Sequence, residues 1–258
     1  MVCVAVRALL VLLAGGGYLA SGITHPNFIS RKVASSFNSP VSSCTLRSVR
    51  LAMPTIRACA ALCHLETNCK LYCLKDDVCT LSSALVNIRY PGGDPNDPIY
   101  TGVLTYDRCY STTWSFSDVT QYIQSVDSSS IFDPDFPAVD AVNGFYCYGP
   151  LFYCFIGNLA DPRGWWTADL GAPRRVSTVR VWTRADNHLH PMFNYVDISL
   201  GNSSDYNNPV FDTFPAEPPT SGMIVTFTAS PPVTGQYLKL KSEGGPHPIA
   251  ICHIEILE

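Results

Sequence analysis

The residues best able to do chemistry lie in two loops of the C-terminal half and in the cysteines. Arg184-Ala185-Asp186 is followed closely by His188 and His190. A guanidinium carries several N–H donors in a fixed fork, which suits vicinal hydroxyls and a ring oxygen. A carboxylate two residues on can orient that fork through charge-assisted hydrogen bonds. The same residues also suit a purely structural Arg–Asp pair flanked by two exposed histidines. The second loop, between Phe145 and Phe155, is strongly aromatic and contains Phe152 and Tyr153. Rings there can stack on the apolar face of a ligand or enter a membrane as an exposed spike. They can equally form a buried, disulfide-stapled loop, because exposed aromatic clusters of this size are unusual and aromatics dominate cores. Asn202-Ser203-Ser204 is a glycosylation sequon in a polar loop. The chain has no nucleophile elbow, no His-Glu-x-x-His and no glycine-rich phosphate loop, so it reads as a binding protein and not an enzyme. Lys75-Asp76-Asp77 reads as a solvated turn.

Composition narrows the setting. The 258 residues carry a formal net charge of -4 with 15% charged residues. That balance leaves no basic footprint for nucleic acid. Eleven cysteines point to an oxidising compartment, where disulfides supplement small cores. Arg7 precedes the apolar run Ala8–Ala14, and small residues follow to Gly22. Such a run has the form of a signal peptide and is shorter than the roughly 20 apolar residues of a spanning helix. Residues 1–22 are therefore expected to be removed. Cys3 goes with them, which leaves ten cysteines. The expected setting is secreted and extracellular.

Several elements must position these residues. Residues 23–43 are polar and without periodicity, as in a leader. Residues 44–108 hold Cys44, Cys59, Cys63, Cys69, Cys73 and Cys79. Within them Ile56–Cys63 reads as a short helix with Cys59 and Cys63 on one face. From residue 109 to 258 the pattern is of strands. Val179, Val181 and Thr183 alternate with Arg180 and Trp182; Val196, Ile198 and Leu200 with Asp197 and Ser199; Met223, Val225 and Phe227 with Thr226 and Thr228. Leu238 and Leu240, and later Cys252, Ile254 and Ile256, repeat the pattern. Period-2 runs separated by Gly and Pro predict an antiparallel sandwich or barrel. Trp165, Trp166 and Asp169 sit beside such a strand, where large aromatics usually fill a core.

The first stretch resembles the PAN/apple fold through Cys59-x3-Cys63-x5-Cys69, Tyr72 and Cys79-Thr80-Leu81. That resemblance implies a small α+β module in which Cys59–Cys79 and Cys63–Cys69 clip a helix to a curved sheet. Cys73 departs from the simple pattern and competes for Cys63. The second stretch resembles the discoidin family (the coagulation factor V/VIII C-terminal type), nearest to the fucose-binding F-type lectins. Gly164–Gly171, Val176–Thr183, Arg184-Ala185-Asp186, Tyr195–Gly201, Gly235–Leu240 and Ile251–Ile256 carry it. It implies a jelly-roll, galactose-binding-like β-sandwich whose loops at one end hold the ligand, and it implies a sugar-binding role for Arg184 and Asp186. The family's further basic position falls on Pro191 and its histidine on Ile156, so His188 and His190 stand as substitutes. The family's structural calcium would involve Asp140. Here Ala141 and Val142 follow, and His253 replaces an acidic ligand, an incomplete set for a cation that prefers hard oxygens. No other cofactor is expected.

Together these readings predict a mainly β, secreted recognition or adhesion protein that binds glycans or glycoproteins. The alternatives are binding to a membrane surface or an extracellular protein through the aromatic loop, and a structural role without a small ligand. An even split of six and four cysteines would keep all disulfides within modules. The second module then pairs either Cys154–Cys252 with Cys109–Cys147, or Cys109–Cys252 with Cys147–Cys154.

Overall fold

The computed structural model describes residues 31–32, 37–38, 44–86, 105–106, 108–112, 117–147, 154–184, 192–215, 222–244 and 248–258. The expected signal segment lies outside them. In chain order the elements are β1 (Arg31–Lys32), β2 (Phe37–Asn38), β3 (Thr45–Arg50), α1 (Ile56–Leu65), β4 (Leu71–Lys75), β5 (Val78–Ser82), β6 (Leu85–Val86), β7 (Thr105–Tyr106) and β8 (Cys109–Ser111). There follow β9 (Ser125–Ser128), β10 (Phe145–Tyr146), β11 (Phe155–Ile156), β12 (Trp165–Trp182), β13 (Val196–Gly201), β14 (Val210–Phe214), β15 (Ile224–Ser242), β16 (Ala250–Ile251) and β17 (His253–Leu257).

The first unit is a five-stranded sheet in the order β1-β8-β4-β5-β3 with α1 packed on it. Thr55 caps the helix by accepting the Ala58 amide at 3.2 Å, the arrangement that satisfies one of the donors a helix start leaves open. The helix buries Cys59 and Cys63 together, as their spacing requires. Cys59–Cys79 and Cys63–Cys69 close on that face. The β4–β5 hairpin turns at Asp76, whose φ is 51°. Left-handed backbone is what a tight hairpin demands, and Asp tolerates it.

Two expectations need correction here. Cys109 bonds neither Cys147 nor Cys252, and Cys147 does not bond Cys154. Cys109 lies on β8 directly opposite Cys73 of β4, and their Cα atoms are 4.1 Å apart in the disulfide. Cys147 follows β10, which pairs with β6 of the first unit, and that pairing carries it to Cys44. One bond therefore crosses between the two units. The stretch 23–43 is likewise more than a leader, because β1 pairs with β8 and β2 with β7.

The second unit is a sandwich built on two long strands. β12 and β15 run antiparallel, with register shifts between Asp169 and Arg174 and between Val176 and Thr178. Before the shifts β12 lies between β9 and the end of β15, and β15 in turn pairs with β13. Beyond them β12 lies between the start of β15 and β17. Irregularities of this kind bend a strand, so one strand can serve both layers of a sandwich. The Gly171–Arg175 and Ser230–Gly235 stretches, which carry glycine and proline, both lie inside these long strands. Gly171, at φ +74°, supplies a conformation disfavoured for other residues. Between the layers Trp166, Ala168, Leu170, Val179, Val181, Ile198, Leu200, Phe227, Leu238, Leu240, Ile254 and Ile256 form one continuous core. All but Trp166, Ala168 and Leu170 are apolar members of the period-2 runs.

Candidate functional site

β12 ends at a corner of the sandwich that is pinned on several sides. The Thr183 amide and hydroxyl both donate to the Met223 carbonyl at 3.0 Å. The Gly222 amide donates to the Arg184 carbonyl at 2.6 Å, and the Ala250 amide donates to the Met192 carbonyl at 2.7 Å. Arg184 is thereby held at the strand end and is only 5% exposed, far from the behaviour of a solvated cation. Its Nη1 donates to the Met192 thioether sulfur at 3.0 Å. A thioether is a weak acceptor, so this N–H is a donor for which a ligand oxygen competes well. Asp186, His188 and His190, the residues expected to complete the corner, lie outside the described residues, as do Phe152 and Tyr153.

Beside this corner is an aromatic cluster whose members lie far apart in the sequence. Trp182 and His253 sit opposite each other on β12 and β17, with ring centroids 5.0 Å apart in an edge-on contact. Tyr146 stacks on His253 at 6.2 Å. Leu85 from the first unit and Phe136 pack against the same cluster, and Cys154–Cys252 closes next to it. One step along the same face, Arg180 and Glu255 form an ion pair at 3.6 Å. The only advance signal was that His253 and Glu255 occupy the off-core register of the last strand, which sequence alone assigns to solvent.

Burial gives these two residues opposite titrations. It pushes His253 down from 6.5 to about 4. It pushes Glu255 up from 4.5 to about 7, with Asp118 repelling the carboxylate and Arg180 and Lys70 partly compensating. Stability from a raised carboxyl is present below its unfolded pKa and is lost as pH rises through the folded one. Stability from a depressed histidine is present above its unfolded pKa and is lost as pH falls through the folded one. Between pH 4.5 and 6.5 the two gradients, each about 1.4 kcal/mol per pH unit, therefore oppose. A nearly flat melting-temperature profile is expected there for the native chain. His253→Phe should become more stable as pH falls, and Glu255→Gln less stable. Profiles that stay flat in both variants would refute the assignment.

The other sequence candidates have plain positions. Trp166 is fully buried and its Nε1 donates to the Ala138 carbonyl at 2.9 Å. Trp165 is half-buried on the surface, with the Lys239 ammonium 5.3 Å from its ring. Asp169 accepts from the Gly171 amide at 2.7 Å and from Gln236 Nε2 at 2.9 Å, a turn-bracing role. Asn202 is exposed directly after β13. Asp140 lies in a short 3-10 helix, Ala138–Val142. Among the described residues no group of three or more His, Cys, Asp or Glu side chains could hold a metal ion. His253, proposed above to stand in a calcium ligand's place, is enclosed by Tyr146 and Trp182.

Comparison with known proteins bears on the second unit. A family model described as a NedA-like, galactose-binding domain matches residues 153–240, a span that includes Arg184. No curated protein sequence matches the chain. Among solved structures, an F-lectin (fucolectin) from striped bass serum (Morone saxatilis) is 14% identical with a TM-score of 0.47, covering 88% of this chain and 80% of that one. A Streptococcus pneumoniae fucose binding module is 19% identical with a TM-score of 0.45, covering 54% and 94%. The family 32 CBM of C. perfringens NanJ, in complex with galactose, is 15% identical with a TM-score of 0.44, covering 55% and 98%. The matched family and the two-layer β framework together make the second unit of this chain a galactose-binding-like domain.

Proposed function

We propose that this chain is a secreted carbohydrate-recognition protein whose sandwich unit binds a glycan at the corner holding Arg184. The observation that carries the reading is a buried guanidinium at a strand end, with Nη1 donating to the Met192 thioether, within the span matched by a galactose-binding domain. Asp186, His188 and His190 would complete the site from the adjoining loop. Five disulfides favour an oxidising, extracellular setting. Among the described residues no helix is long and apolar enough to cross a membrane. The exposed Asn202 is a proposed glycan acceptor, and the helix-on-sheet first unit is read as PAN/apple-like. Recognition, not catalysis, is the proposed role.

The test is Arg184→Lys and Asp186→Asn, assayed in parallel for glycan-array binding and melting temperature. Lysine keeps the charge but loses the planar fork. Losing hydrogen bonds from a charged donor should weaken sugar binding by roughly ten- to a hundredfold. Unchanged glycan binding with a lowered melting temperature would leave Arg184 a structural residue only.

A further inference from the structure

The outer face of β12 and β17 is only partly covered by the first unit. In one cross-strand row His253, Trp182 and Ile224 lie side by side, and Leu85 and Tyr146 pack over Trp182. In the next row Glu255, Arg180 and Thr226 lie side by side, and here the two units separate. The gap is a cleft of about 710 Å³, within the range of small-ligand sites. The sandwich contributes Asp118, Arg180 and Glu255 to it, and the first unit contributes Asn68, Lys70 and Thr112. The latter three also line a further hollow of about 520 Å³ that runs beside α1 to His64 and Glu66, so the groove continues across the first unit.

We propose that this cleft is a second carbohydrate site, separate from the Arg184 corner, that takes a segment of a neutral oligosaccharide chain. Three features select that ligand. Its charges nearly offset, Lys70 and Arg180 against Asp118 and a partly ionised Glu255, which disfavours a strongly ionic ligand. Its lining mixes donors and acceptors: guanidinium and ammonium only donate, carboxylates accept, the Asn68 amide does both, and the Ser83 and Thr112 hydroxyls, which donate to the Cys44 carbonyl and to the Cys69 and Lys70 carbonyls, keep lone pairs that accept. That is the pattern a polyol needs, since each hydroxyl both donates and accepts. Finally, the cleft is edged by aliphatic side chains, including Ile224 at 48% exposure, which can cover the C–H face of a sugar ring. Tyr146 and Trp182 line the cleft and also belong to the cluster beside Arg184, whereas Lys70 and Arg180 lie outside that cluster, so the cleft is perturbed through these two cations. Glu255, held near its midpoint around pH 7, faces Asp118, Arg180 and Lys70. A ligand laid over it changes its hydration and hence its proton occupancy.

The experiment is calorimetric titration of the full chain with galactose- and fucose-terminated trisaccharides, at pH 7 in two buffers of different ionisation enthalpy. Lys70→Ala and Arg180→Ala each remove one exposed cation, from opposite walls. Each should weaken one class of sites by roughly tenfold or more while Arg184→Lys spares that class. Binding to that class should be coupled to proton exchange, and the coupling should vanish in Glu255→Gln. Trisaccharide binding that is unchanged in both Lys70→Ala and Arg180→Ala overturns the proposal, as does a chain in which Arg184→Lys abolishes all binding. The reverse pattern, in which only the cleft variants lose binding, would instead overturn the Arg184 reading and leave this one standing.

Discussion

Trp166→Ala is expected to destabilise the sandwich by about 3–5 kcal/mol. The indole is fully buried in the second unit's core, carried on the part of β12 that pairs with β9 and β15. Truncation leaves a void that close-packed neighbours fill only in part. It also removes the donor to the Ala138 carbonyl, the first residue of the short 3-10 helix that carries Asp140. Trp166→Phe separates the two contributions, because it restores most of the volume but not the hydrogen bond. It should retain more than half of the lost stability. The measurement is the urea midpoint at unchanged denaturant slope. A loss below about 1 kcal/mol for the alanine variant would mean the site collapses far better than buried aromatic sites do.

Removing the Cys44–Cys147 bond is the second large effect. It is the one disulfide of the five that joins the first sheet to the sandwich unit, and it spans 103 residues. Cross-links stabilise chiefly by restricting the unfolded chain, typically by about 2–4 kcal/mol. The paired Cys44→Ser, Cys147→Ser variant should therefore lose stability in that range. Its specific signature is cooperativity. With the bond intact, β6·β10 pairing and the Leu85–Tyr146–Trp182 packing couple the units. Without it, calorimetry should resolve two transitions where the native chain shows one. A single transition shifted only slightly would show that packing alone couples them. The double variant should also weaken the interdomain cleft while leaving Arg184-dependent binding intact, because the cleft needs both walls and the corner needs one.

Much of the fold was legible because alternation and helical spacing are local. Val179 and Val181, Ile198 and Leu200, and Ile254 and Ile256 are all in the core, on the side their period-2 spacing assigns. Cys59 and Cys63 share one helix face, as four-residue spacing dictates. Arg184 was identifiable as a candidate by its type and its place after a strand; its burial was not. Local pattern tells which side of a strand a residue is on, and nothing about what lies against that side. His253 and Glu255 carry the polar, outward register of β17, yet Tyr146 and Trp182 enclose His253 and Glu255 is largely buried beside Arg180. Tertiary packing, not sequence, therefore set their shifted titrations and made a cleft from residues more than a hundred positions apart. Disulfide choice is non-local for the same reason. Even numbers of cysteines are visible in any chain, but Cys109 found Cys73 because β8 pairs in register with β4, and Cys147 found Cys44 because β10 pairs with β6. The long β12 and β15 show the last case: glycine and proline locally announce a break, while strand partners on both sides, and the bulges between them, carry each chain through the bend into the second layer.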